Sequence, residues 1–159
     1  MTVPRSAVRI LAAAALAAGM MAATGGSVRA AECGTLSYNA QVVQSGNTWT
    51  ASNGSRTVYT GTDLLAAMRA GVASLTAGRT SKQAVVVRGS GTVPANQSLD
   101  LPSYTVLDVC GTITATGTIA AHNAIVRMRN VHDVDVPNLK IAGNVYFGVL
   151  IRNGVNISL

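Results

Sequence analysis

The chain has 159 residues, with 12 Lys and Arg against six Asp and Glu, a formal charge of +6. The bases stand singly (Arg56, Arg69, Arg79, Lys82, Arg88, Arg127, Arg129, Lys140, Arg152) and form no clustered basic face, which argues against a nucleic-acid partner. The longest apolar run, Ile10 to Ala23, is shorter than the roughly 20 residues a spanning helix needs, which argues against stable membrane insertion.

The N-terminus reads as a secretory signal peptide over residues 1–30. Arg5 and Arg9 make a positive start, the apolar run follows, and Val28-Arg29-Ala30 offers a small-x-small cleavage site. Cleavage removes three bases, leaving nine against six acids and a net charge of +3 on a secreted, extracellular chain. Cys33 and Cys110 are then the two cysteines, 77 positions apart, and in an oxidising compartment such a pair is expected to form a disulfide. Two lone cysteines with no histidine beside them do not make a metal site.

Residues 31–61 read as a hairpin-like extension. Leu36, Tyr38, Ala40 and Val42 alternate with polar residues, and Thr48–Thr50 and Arg56–Tyr59 flank an Asn53-Gly54 turn. Trp49 suits either a sugar-stacking platform or, more commonly for a large aromatic, a buried plug. Residues 62–78 read as one helix. Thr62 is placed to cap its amides, Asp63 suits the positive end of the dipole, and Leu64, Leu65, Met68, Val72 and Leu75 recur at helical spacing up to Gly78. The expected role of this helix is to cover the apolar end and open strand edges of the segment that follows.

Residues 79–159 read as short strands separated by frequent turns: Ala84–Val87, Leu99 to Leu101, Thr105–Cys110, Ile113–Ile119, Ile125–Met128, Val134–Val136, Leu139–Ile141 and Val145–Val149. Turns are expected at Gly89–Pro94, Pro102-Ser103, Pro137-Asn138 and Gly143-Asn144. A pattern repeats within this region. Val126–Asn130 returns as Val149–Asn153, 23 positions on, and Val134-Asp-Val136 returns as Val155-Asn-Ile157, 21 positions on. Thr105–Gly111 resembles Asn138–Gly143 more loosely. Such a period belongs to a solenoid, in which each coil buries its apolar face only against the next. The expected fold class is therefore all-β, a parallel β-helix with an N-terminal amphipathic capping helix. At the turns, Asn138 and Asn153 suit either amide bonds between coils or plain left-handed turn positions.

The helix at 62–75, Ala84–Val93, Leu101–Ile113, Val131–Ile141 and Val149–Ile157 together resemble the start of a right-handed parallel β-helix of the pectin-lyase-like superfamily. The resemblance implies a secreted enzyme that degrades plant or microbial polysaccharide, a glycoside hydrolase ahead of a polysaccharide lyase. It also implies a monomer with a polysaccharide as its partner and no cofactor, calcium entering only if the activity is that of a lyase. The chain is shorter than such enzymes, so residues 79–159 are expected to be the first coils of a longer, C-terminally truncated protein, inactive alone. The alternative is a non-catalytic β-helical adhesin or carbohydrate-binding surface protein.

No catalytic residue is assigned. Glycoside hydrolysis needs two carboxylates about 5–9.5 Å apart, and Asp133 and Asp135 are the one close pair. Two apart on a strand, they are expected to share an outward face, as candidate substrate-binding residues or calcium ligands lining a groove or as a plain solvated face, while Val134 and Val136 point inward. Arg129 and Arg152 occupy matching repeat positions and are candidates for contacts with an acidic sugar. The Asn-Thr-Asp and Gly-Asp-Asp strings of polygalacturonase-type enzymes do not occur, and no G-x-S-x-G elbow or phosphate loop is found. His132 is expected to be half-buried or bonded to an aspartate rather than to catalyse. Asn53, Asn96 and Asn156 each begin a glycosylation acceptor triplet.

Overall fold

The computed structural model describes residues 32–159; the expected signal peptide lies outside them. Among the described residues eleven strands and one helix follow one another as β1 (Ala40–Ser45), β2 (Thr48–Asn53), β3 (Arg56–Gly61), α1 (Leu64–Ala73), β4 (Gln83–Arg88), β5 (Gly91–Pro94), β6 (Leu99–Asp100), β7 (Thr105–Thr116), β8 (Ala124–Arg129), β9 (His132–Gly143), β10 (Phe147–Arg152) and β11 (Val155–Ser158). The class is all-β, and the larger sheet is mixed.

That sheet runs β11-β9-β7-β4-β1-β2-β3, with β5 paired to the second half of β7, while β10-β8-β6 form a separate three-stranded sheet. From β4 onward every pairing is parallel. Val85 lies opposite Leu107, Thr105 opposite Val134, and Val134 opposite Ile157. In the smaller sheet Leu99 lies opposite Val126 and Val126 opposite Val149. Corresponding residues are thus stacked, and like side chains meet. Val85, Leu107, Val126, Met128, Ile113 and Val134 all fall within 1% of full burial, in one apolar cluster shared by both sheets and the helix. Burial of each aliphatic side chain of this size stabilises the fold by about 1.5–3 kcal/mol.

The N-terminal strands form an antiparallel meander, and the Asn53-Gly54 turn sits where expected, with Gly54 at φ +57° closing the hairpin between Asn53 and Arg56. Trp49 is 3% exposed and takes the plug role. Helix α1 turns Leu64, Leu65, Met68 and Val72 onto the core, and Gly71 lets its backbone approach the side chains of Val42 and Val85.

Several expectations are corrected. The helix spans Leu64–Ala73 rather than 62–78, and Asp63, not Thr62, caps it by accepting the Ala66 amide; a carboxylate there satisfies the orphan donor and the dipole together. The open edge of β4 is covered by β1 in parallel pairing, so the helix covers side chains and not strand edges. Leu36 and Tyr38 are exposed and precede the first strand. The expected strands Thr105–Cys110 and Ile113–Ile119 are one continuous strand ending at Thr116, Pro137-Asn138 is not a turn but lies inside β9, and part of the Gly89–Pro94 segment is β5. The second halves of the repeat are offset by 23, like the first, because Val155 lies opposite His132 and Ile157 opposite Val134. A slip of two residues keeps every side chain on its own face, so alternation alone does not distinguish 21 from 23. Thr105–Gly111 pairs with residues from Val134 onward, not with Asn138–Gly143 as a unit.

Candidate functional site

The sites expected from sequence divide between two surfaces. Asp133 and Asp135 lie on β9 of the larger sheet, whereas Arg129 and Arg152 lie on β8 and β10 of the smaller one.

The two aspartates are held by different partners. Val134 and Val136 are buried as expected, but Asp133 sits at φ +57° in the left-handed region, so the extended alternation that would align it with Asp135 is interrupted. Register places Tyr104 (φ 58°), Asp133 and Asn156 (φ 54°) in one stacked column. Asp133 Oδ2 lies 2.8 Å from His132 Nδ1, and its Oδ1 accepts the Asn156 amide. The His132 ring stands edge-on to Tyr104 with centroids 4.8 Å apart. Asp135 instead accepts both of its contacts, at 2.7 Å, from Lys82 Nζ. It faces a groove of about 390 Å³ that includes Leu36, Asn39 and Val106. Neither carboxylate is left opposed to the other across an open space.

Asp133 has a testable titration. The hydrogen bond from His132, and after it that from Asn156, holds its carboxyl below the usual range. A depressed acid contributes stability above its unfolded value, and that contribution is lost as pH falls through the folded value, here on the acid side of about pH 4. In a carbon-detected NMR titration, His132→Ala raises the Asp133 midpoint and Asn156→Ala raises it less. An unchanged midpoint in His132→Ala would refute the assignment.

Arg129 reaches a different place. Between α1 and strands β6 and β8 lies a cleft of about 630 Å³ whose lining includes Arg69, Arg79, Arg127 and Arg129, a single acid, Asp100, and an apolar floor with Val72 and Leu101. Arg127 donates to Asp100 through Nε and Nη2, at 2.8 and 2.7 Å. This bidentate pair holds the Asp100 carboxyl below its usual range; burial opposes that shift, and the fields of Arg129 and Arg69 add to it. At a surface such a pair contributes less than about 1 kcal/mol. Arg69 donates to Gln97 Oε1 and, at 2.8 Å, to the Ser98 carbonyl. Arg79 donates to the Tyr104 and Thr76 carbonyls and to the Thr105 hydroxyl, and burial lowers its pKa. These neutral partners fix both guanidiniums without cancelling their charge. The side chain of Arg129 makes no hydrogen bond or ion pair within the described residues. Arg152 lies directly opposite it on β10 and is likewise exposed.

Two further features, an exposed ring cluster and a buried aspartate, carry no signal in the sequence pattern. Tyr146 and Phe147, 46% and 39% exposed, meet edge to face at 4.7 Å, and His122 tilts against Tyr146 at 5.1 Å. Alternation marks residues 145–149 only as strand. Asp108 is 2% exposed and accepts from the Gly34 amide at 2.7 Å and from Asn138 at 2.8 Å. Asn138 therefore bonds between strands from within β9, and Asn153, at φ 53° in a turn, does both things weighed for it by donating to Asn130. Cys33 and Cys110 are joined as a disulfide beside Asp108. Among the described residues these three form the single group of ligand side chains close enough to share an ion, and sulfurs tied in a disulfide offer no thiolate to a metal. Of the acceptor asparagines, Asn53 donates to the Ser74 carbonyl and Asn156 to Asp133, whereas Asn96 is exposed in a loop.

Among the described residues no helix is long and apolar enough to cross a membrane. Comparison with protein-family models, with curated proteins and with solved structures finds no match.

Proposed function

We propose that the parallel ladders are coils of a right-handed parallel β-helix of the pectin-lyase-like type, and that the protein is the N-terminal part of a secreted polysaccharide-degrading enzyme, a glycoside hydrolase ahead of a lyase. The observation that supports this most is the stacking of like residues at intervals of one coil. In the larger sheet Val85 stacks on Leu107 and Val134 on Ile157, and Leu99, Val126 and Val149 form a column in the other sheet. A disulfide suits an oxidising, extracellular setting.

In this reading the described coils bind and do not cleave. Inverting or retaining hydrolysis requires two carboxylates facing one bond, and Asp133 and Asp135 are held by His132, Asn156 and Lys82 instead. A carbohydrate-binding surface protein without catalysis is the second reading, favoured by the exposed ring pair Tyr146 and Phe147.

Affinity electrophoresis tests the reading. The secreted chain is expected to be retarded in gels containing polygalacturonate while releasing neither reducing ends nor unsaturated products from it. Free migration in polygalacturonate, xylan and neutral glucan gels alike would overturn the polysaccharide assignment. Turnover abolished by Asp133→Asn or Asp135→Asn would overturn the non-catalytic role given to these coils.

A further inference from the structure

The two ends of the Cys33–Cys110 bridge sit in different surroundings. Cys110 is exposed and Cys33 is half-buried, so a reagent in solution meets the Cys110 side first. Behind Cys33 stands Asp108, 2% exposed, with its Oδ1 3.1 Å from the Cys33 sulfur. No proton lies in that contact while the bridge is intact. The carboxylate is held by the Gly34 amide on Oδ2, at 2.7 Å, and by the Asn138 amide on Oδ1, at 2.8 Å. Arg88, the base that reaches this corner, is engaged by the Gly34 carbonyl, by Gln41 and by the Tyr38 ring. From the bridge to β1 the chain forms a strap. Its far end is tied by Asn39, whose amide donates to the Ala84 carbonyl and whose side chain accepts the Ala84 amide, both at 2.9 Å. Between the two ties Thr35, Leu36, Ser37 and Tyr38 are all exposed, so little apolar burial holds the strap down. Leu36, Ser37 and Asn39 line the groove of about 390 Å³ together with Lys82, Val106 and Asp135.

We propose that the bridge is a reducible clasp on this strap, opened by a dithiol that attacks Cys110, with Asp108 as the positioning residue that slows its opening and guides its closing. A thiolate of the dithiol bonds to Cys110 Sγ, the Cys33–Cys110 bond breaks, and Cys33 departs as a thiolate that takes a proton from solvent. The second thiol of the reagent, deprotonated in turn, displaces Cys110, which is protonated. The dithiol is thereby oxidised to a disulfide and the cystine reduced to two thiols. A leaving thiolate departs more slowly as its basicity rises, and a carboxylate in contact with Cys33 raises that basicity by repulsion. The same contact works in the other direction after reduction. The Cys33 thiol then has an acceptor in Oδ1, and the Gly34 amide remains on Oδ2, so the free sulfur stays beside Cys110 and closure is intramolecular. Opening leaves the core intact, because none of residues 33–39 belongs to the buried apolar cluster, and it frees the strap side of the groove that Asp135 faces.

The test uses the full secreted chain and three measurements. Brief exposure of the wild type to glutathione, quenched and mapped by mass spectrometry, is expected to place the mixed disulfide on Cys110; an adduct on Cys33 would overturn the direction of attack. Reduction by dithiothreitol is then timed. Asp108→Asn is expected to speed it about tenfold, through loss of the charge beside the leaving sulfur, whereas Asn138→Ala, which removes a partner of Asp108 and keeps the carboxylate, is expected not to. An unchanged rate in Asp108→Asn, or an equal gain in Asn138→Ala, would overturn the part given to Asp108. Hydrogen exchange of the reduced wild type completes the test, since it needs no variant to fold. The amides of residues 35–39 are expected to lose protection while those of Val85–Val87 and Leu107 keep theirs. Loss of protection throughout, or none at the strap, would overturn the clasp.

Discussion

Replacing both Cys33 and Cys110 by alanine is expected to lower the unfolding free energy by about 4 kcal/mol, the chain-entropy value for a closed loop of this length. The bridge spans 77 residues and so restrains most of the unfolded chain ahead of β8. The folded state should lose little. Leu36 and Tyr38, which the bridge holds near β7, are exposed and leave no cavity in the core if the segment loosens. Its remaining anchors are few: the Gly34 amide on Asp108, the Arg88 guanidinium on the Gly34 carbonyl, at 3.2 Å, and the same guanidinium over the Tyr38 ring, 4.9 Å from its centroid. A domain of ordinary stability has about 5–15 kcal/mol in total, so the change should move a urea midpoint well down. The measurement is urea unfolding of wild type and the double variant with comparison of midpoint and slope. A loss below about 1 kcal/mol would mean that the unfolded chain is already restrained by other means.

Gly111→Ala should be nearly as damaging, for a reason confined to the folded state. A Cβ at this position would lie 1.8 Å from the Gly89 carbonyl oxygen and 2.5 Å from its carbon. Both are backbone atoms of the β4–β5 corner and cannot swing aside. The site lies in the irregular stretch of β7 between Asp108 and Thr112, where pairing to β9 changes register and where the Thr112 amide donates to Ser90. Relief of the overlap must separate two stacked corners beside the disulfide, a cost of about 3 kcal/mol or more. Gly117→Ala is the control. Gly117 has φ +80°, but an added methyl there would meet nothing within 4 Å, so its cost is the left-handed backbone term of about 1 kcal/mol. Equal losses for the two variants, measured by denaturant unfolding, would show that the corner contact is not as close as described.

The arginine cleft and the aspartates show where the chain's own pattern suffices and where it stops. Hairpin residues Asn53-Gly54, the helix and the burial of Val85–Val87, Val134 and Val136 follow from local preference and alternation, which act within a few residues, and the cystine pair follows from there being two cysteines in an oxidising setting. Arg129 and Arg152 are legible as neighbours because the 23-residue repeat carries its own register. The relation of Asp133 to Asp135 is not legible, because the left-handed backbone at Asp133, favoured by stacking against Tyr104 and Asn156, depends on coils remote in sequence. Arg69, Arg79 and Asp100 are invisible as cleft residues for a similar reason. They come from a helix, a loop and a two-residue strand, and no spacing relates them.

Hydrophobic alternation and turn chemistry, which act over a few residues, sufficed for the helix, for most of the strands and for the buried valines, but not for the strand that runs through Pro137-Asn138 or for the exposure of Leu36 and Tyr38. The tertiary structure alone decided that β1 closes the edge of β4, that the repeat is offset by 23 throughout, and that four guanidiniums share one cleft. Those outcomes are set by strand register and by the packing of α1 across two sheets, and each compares arrangements that look identical to any single stretch of chain.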